Sequence, residues 1–203
     1  MTKVLDRKQF LQLATVFEGG LVILAYGLGW LVDIDPLETL HFSSNAVAMG
    51  LLGTIPLLLF FAFSYRLQVP QLEHIKRMLI ETLGPYLSAC RWYELIYVAF
   101  LAGFCEEVLF RGVLQPWMET LWGWWPALLV SNILFGLAHS VTVLYTVLAM
   151  LTGMYLGWML DAAGERNLLV PMLVHGLYDF VAFYMVVVMY RSGQNSAGDG
   201  DSR

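Results

Sequence analysis

A succession of long apolar segments constrains this chain more than any other feature. Six stretches, 10–32, 45–66, 92–119, 125–139, 141–160 and 168–190, are predominantly apolar. About 20 apolar residues in a helix cross a hydrocarbon core of about 30 Å. Inside a membrane the backbone has no water to bond, so only helices and closed barrels can span it. A barrel would show short alternating strands, and no alternation of that kind is visible here. The expected fold is therefore all-α: a polytopic transmembrane helix bundle of about six spans, forming one integral membrane domain over 1–190. Composition agrees. Of 203 residues, 59% are hydrophobic and 13% charged, where a soluble domain carries about 25% charged residues. The net charge of −5 gives no basic surface for nucleic acid, and two cysteines are too few for a disulfide scaffold.

The first segment follows Lys3, Arg7 and Lys8 and is longer than the apolar region of a signal peptide, so it reads as a retained span. The stretch 67–91 sets Leu72, Ile75, Leu79 and Leu83 against Glu73, Lys76, Arg77 and Glu81. That pattern suits an amphipathic helix on the membrane surface between spans two and three. The Ser-, Gly- and Asp-rich tail 191–203 reads as disordered and cytoplasmic. Six spans put Lys3, Arg7, Lys8, Arg66, Lys76, Arg77, Arg91, Arg191 and Arg203 on one side. The loops opposite hold Asp33, Asp35, Glu38, Glu119, Asp161, Glu165 and only Arg166. By the positive-inside bias both termini are expected in the cytoplasm. The short loops suit a bacterial inner membrane. Trp122, Trp124 and Trp125 read as an interfacial aromatic belt.

Within the spans stand ionisable residues that cost about 2.5–3.5 kcal/mol each at membrane depth and normally face a cavity or a partner. They are Glu18, Glu106, Glu107, Arg111, His139, His175 and Asp179, whereas His41 and His74 fall in loops. Residues four apart share a helix face. Glu107 can therefore pair with Arg111, while Glu106, about 100° around the helix, points elsewhere. Taken alone, these three could equally form an ion cluster that locks helices together. Phe135 and His139 also share a face, and His139 could simply cap its helix end. His175 and Asp179 are again four apart. An Asp can fix the tautomer of such a His, or the two can merely satisfy one another. All of these needs are met at once if three helices converge on one wet cavity. There Glu106 could act as general base, a histidine could relay the proton, and donors across the cavity could hold an oxyanion. Glu18, beside Gly19 and Gly20, reads as a lone carboxyl that is protonated or paired. Cys105 reads as a packing residue. Neither a serine nucleophile setting nor HExxH is present.

The ordered set EExxxR at Glu106–Arg111, FxxxH at Phe135–His139 and HxxxD at His175–Asp179 resembles the CAAX-protease and bacteriocin-processing family. This family, also called CPBP or ABI, comprises glutamate intramembrane proteases. The resemblance covers 92–190. It implies an all-α membrane bundle and intramembrane peptide-bond hydrolysis without a metal or other cofactor. By motif position, Glu106 and His139 would activate water, His175 and Asp179 would stabilise the oxyanion, and Glu107, Arg111 and Phe135 would support the site. The last motif position is often Asn in the eukaryotic branch. An ionised Asp accepts but does not donate a hydrogen bond, so Asp179 either is protonated or orients His175. The implied partners are the lipid bilayer and a peptide or protein substrate in or at the membrane. Two other functions use the same residues: a non-catalytic scaffold or immunity-type binding protein, and a metal-dependent membrane hydrolase in which Glu106, His139, His175 and Asp179 hold a divalent ion.

Overall fold

The computed structural model describes residues 5–200. Every regular element among them is helical: α1 (Arg7–Val32), α2 (Ser44–Arg66), α3 (Pro70–Ala89), α4 (Trp92–Leu109), α5 (Gln115–Trp122), α6 (Trp124–Ala138), α7 (Val143–Met159) and α8 (Leu169–Gly200), with a π-helical turn, Phe110–Leu114, joining α4 to α5. Three helices are long and apolar enough to cross a membrane: α1, α2 and the Leu169–Asn195 part of α8.

Local chemistry sets the boundaries. Asp6 caps α1 through a capping box with Gln9, and Asp33 ends it in the left-handed conformation. Ser43 and Thr142 cap α2 and α7 by accepting from the backbone N–H groups of Ala46 and Tyr145. Gly123, at φ 81°, makes the sharp reversal between α5 and α6.

The expected span 92–119 is not one α-helix. Pro116 has no N–H, and its ring crowds the carbonyl four residues earlier. The preceding turn widens, and the Gln115 N–H bonds to the carbonyl of Phe110 instead. Past Arg191, in the stretch read as a tail, α8 continues to Gly200. Arg191 donates to the Ser88 carbonyl at 2.8 Å, which fixes that stretch against the end of α3. Residues 201–203 of the tail lie outside the described residues, as does Lys3. The stretch 67–91 is helical, yet Leu72, Ile75, Leu79 and Leu83 line an internal cavity, so its apolar stripe faces protein as well as bilayer.

The central packing is α4 between α1 and α8. α1 runs parallel to α4: Arg7 pairs with Glu94 at 2.6 Å where both helices start, Thr15 meets the Tyr97 hydroxyl one to two turns on, and Ala25 packs beside Val108. α8 runs the other way. Gly103 and Gly176 cross so closely that a Cβ on Gly103 would lie 2.8 Å from the Gly176 nitrogen, the kind of small-residue contact that lets membrane helices approach. α6 and α7 form a tight antiparallel hairpin, with Gly136 against the backbone of Thr146 and Gly157 against Leu128. At the end remote from Arg7, Asn167 donates to the His41 carbonyl at 2.9 Å and accepts from the Leu169 N–H at 3.0 Å, joining two loops. At this same end Arg166 bonds Glu119 at 2.6 Å and Asp161 at 2.9 Å. Burial opposes the Arg166 charge, but its bonds to Asp161 and Glu119 hold the guanidinium above its ordinary range.

At 1.5 Å per residue, the 15 residues of α6 cover about 22 Å and the 17 of α7 about 26 Å, both short of a core of about 30 Å. Their turn at 139–142 lies level with the middle of the long helices, because Asn132 and Gly153, well before and after it, both bond Arg111.

Candidate active site

The three motifs converge as the helical spacing requires. Glu106 and Glu107 close α4, and Arg111 sits in the π-turn. Glu107 is fully buried and Arg111 is 1% exposed, so the pair has no help from solvent and depends on its neighbours. Arg111 Nη1 donates to Glu107 Oε1 at 3.0 Å. Its Nη2 donates to Asn132 Oδ1 at 2.9 Å and to the Gly153 carbonyl at 2.5 Å. The guanidinium also lies 4.9 Å from the centre of the Phe135 ring, within cation–π range.

Glu106 faces the other way, as expected. Its Oε2 is 3.5 Å from His139 Nε2 and 4.0 Å from His175 Nε2. That oxygen is closed off without a hydrogen-bond partner among the described residues. At 3.5 Å the nearest histidine nitrogen is beyond the range of a good direct hydrogen bond. His139 Nδ1 lies 2.9 Å from the Phe135 carbonyl. A carbonyl only accepts, so Nδ1 carries the proton and Nε2 is the nitrogen turned to Glu106. Phe135 stacks on the same imidazole, with centroids 4.4 Å apart. FxxxH therefore acts as a unit: carbonyl and ring of one residue orient the imidazole of the other.

His175 departs from the expected arrangement. Its Nδ1 meets Glu107 Oε1 at 2.9 Å, whereas Asp179 Oδ2 lies 3.5 Å from Nε2. Glu107 supplies the nearer oxygen, at Nδ1, and Nε2 points between Asp179 and Glu106. Glu107 thus joins the EExxxR and HxxxD motifs through a single oxygen that serves both Arg111 and His175.

These groups line a cavity of about 470 Å³. Glu106, His139, His175 and Asp179 form its polar part, while Leu57, Phe61, Leu79 and Phe183 contribute to an apolar part between α2, α3 and α8. Glu18, from α1, lines it too. Two members of the site escaped the reading of the sequence. Asn132 is a buried amide in the middle of an apolar helix, and its polarity at that depth was the available signal. Gly153 contributes only a carbonyl, which no side-chain pattern can announce. Among the described residues no group of three or more His, Cys, Asp or Glu side chains is placed to hold a metal ion.

Carboxylates and histidines from α4, α6 and α8 thus converge on one cavity. Residues 88–181 match the family model of type II CAAX prenyl endopeptidases, Rce1-like. This stretch carries all three motifs that resemble the CPBP family. No curated protein and no solved structure gave a match.

Proposed function

We propose that the protein is an intramembrane endopeptidase that hydrolyses a peptide bond in a membrane-associated or hydrophobic peptide, using water activated by Glu106. The observation that carries this reading is the 3.5 Å separation of Glu106 Oε2 and His139 Nε2 within the cavity. A water docked beside this pair would meet one carboxylate and one imidazole nitrogen, the pair needed to take and return a proton.

In this reading Glu106 takes the proton of the water, and the hydroxide adds to the substrate carbonyl. His175 Nε2, when protonated, donates to the developing oxyanion, because Nδ1 is committed to Glu107. Asp179 holds that Nε2 toward the cavity. Breakage of the C–N bond returns the proton taken by Glu106 to the leaving amine, giving one carboxylic acid and one amine. No step calls for a metal or another cofactor. The expected bundle of six crossings has the cavity opening toward the end where α1 begins. Both termini lie in the cytoplasm, in a membrane of the bacterial inner-membrane kind.

Glu106→Gln keeps the side-chain volume and removes the base. It is expected to lower turnover by about 10²–10⁴-fold while the protein still inserts and purifies. Peptides from membranes of the two strains, compared by mass spectrometry, supply both the substrate and the measurement. Near-normal cleavage by Glu106→Gln would overturn the assignment, and an unchanged cellular phenotype without any cleavage would favour a binding scaffold.

A further inference from the structure

Glu18 is the one carboxyl of the cavity for which the motifs give no task. It stands in the middle of α1, next to a residue, Phe17, that is 66% exposed and faces the bilayer. Glu18 itself turns inward and lines the same cavity as Glu106, His139, His175 and Asp179. The helix lies outside the matched stretch 88–181.

The other carboxyls of this region have charged or imidazole neighbours. Glu107 has Arg111 and His175. Glu106 has His139, and Asp179 has His175. Glu18 has neither a hydrogen bond nor an ion pair among the described residues, and its Oε2 is closed off with no donor. An acceptor left unpaired at this depth is costly in the empty site and favourable once the occupant brings an N–H. A peptide bound beside Glu106 carries backbone N–H groups that must find acceptors once they leave water. The cavity offers them mainly apolar surface.

We infer that Glu18 is a substrate-binding residue of this site, whose carboxyl accepts a hydrogen bond from a main-chain N–H of the bound peptide. This rests on the endopeptidase reading for the nature of the occupant. It adds the first helix to the binding surface and makes that helix part of substrate selection, since an N-alkylated or proline residue at the matching position would lack the donor.

The test uses the whole protein in detergent, in the Glu106→Gln background so that nothing is cleaved. The probe is a fluorescent farnesylated CAAX peptide, prepared with each backbone amide N-methylated in turn. Glu18→Met removes the acceptor at similar volume and is expected to weaken binding about tenfold, near 1.4 kcal/mol. Glu18→Gln keeps an acceptor oxygen and should bind within about threefold of its parent. One N-methylated peptide should bind the parent about tenfold more weakly and show no further loss on Glu18→Met, the non-additivity expected of a direct pair. Equal binding by all three proteins, full additivity at every N-methyl position, or absence of binding to the parent would each overturn the inference. Turnover of the same peptide with Glu106 intact is read separately. Binding that depends on Glu18 without any turnover would sink the endopeptidase reading and leave the role of Glu18 standing.

Discussion

Glu107 Oε1 lies at 3.0 Å from one positively charged group and 2.9 Å from an imidazole, with no solvent to replace either. Removing its carboxylate strands Arg111 as an unpaired buried charge and frees the His175 ring at the same stroke. Glu107→Ala is expected to cost about 3–5 kcal/mol, the range for breaking a buried pair from one side. Glu107→Gln, which keeps an oxygen for both donors but not the charge that balances Arg111, should recover only part of that loss. Thermal unfolding in detergent, followed by near-ultraviolet circular dichroism, measures both. A midpoint for Glu107→Ala equal to that of the unaltered protein would show that Arg111 is held by Asn132 and Gly153 alone. At this scale the sequence was legible wherever partners are four residues apart on one helix: Glu107 with Arg111, and Phe135 with His139. It was silent on partners from different helices. Glu107 and His175 are 68 residues apart, so the spacing of HxxxD pointed to Asp179 as the orienting residue when a closer oxygen came from α4.

Among the elements, the π-turn and the α6–α7 hairpin act together. The wider turn at Phe110–Leu114 carries Arg111 to where the hairpin offers it an amide oxygen and a carbonyl. That carbonyl is reachable because Gly153 has no side chain. A Cβ there would lie 3.0 Å from the Phe135 ring and 3.2 Å from Arg111 Nη2 and would also crowd Asn132. Gly153→Ala should therefore destabilise by about 1–3 kcal/mol, as overpacking of a well-filled interior does. It should also reduce turnover, because Phe135 orients His139. A paired measurement of melting temperature and peptide cleavage checks this, and unaltered values for both would show that the hairpin can slide away without cost. Hydropathy alone reads 92–119 as one span, since a π-turn changes neither length nor polarity. Only Pro116 marked the place.

For the molecule as a whole, the end where α1 begins also receives the start of α4 and the later part of α8, through Arg7 with Glu94 and Arg191 with Ser88. The acidic loops and Arg166 gather at the other end. In the sequence, this grouping is read from charge placement along the chain. The sequence did not reveal that α8 outlasts its apolar stretch, since a helix leaving the membrane needs no hydrophobic pattern to continue. If the first end is cytoplasmic, the exposed Ser140, just beyond His139, faces the mouth of the cavity. Cysteine at this position, in a protein lacking the buried Cys90 and Cys105, should react with a membrane-impermeant maleimide added from the cytoplasmic side of inverted vesicles. Labelling from the opposite side alone would reverse the orientation and the route of access.

The short hairpin also bears on the lipid around the protein. α1, α2 and α8 are long and apolar enough to reach across a bilayer, but α6 and α7 turn back level with their middle, so in a bilayer the acyl chains beneath that turn would meet no full-length helix from this hairpin. They must splay, or the leaflet must thin, at a cost of a fraction of a kcal/mol for each ångström of mismatch. Thinner bilayers relieve that cost and bring the aqueous boundary closer to His139. In vesicles of phosphatidylcholine graded by acyl-chain length, turnover should rise as the chains shorten, until the long helices in turn become too long for the membrane. A rate indifferent to chain length would mean that the protein, rather than the lipid, fills the space below the hairpin. The composition of the surrounding membrane would then be a rheostat for this site, set by how thick a sheet of lipid two short helices are made to inhabit.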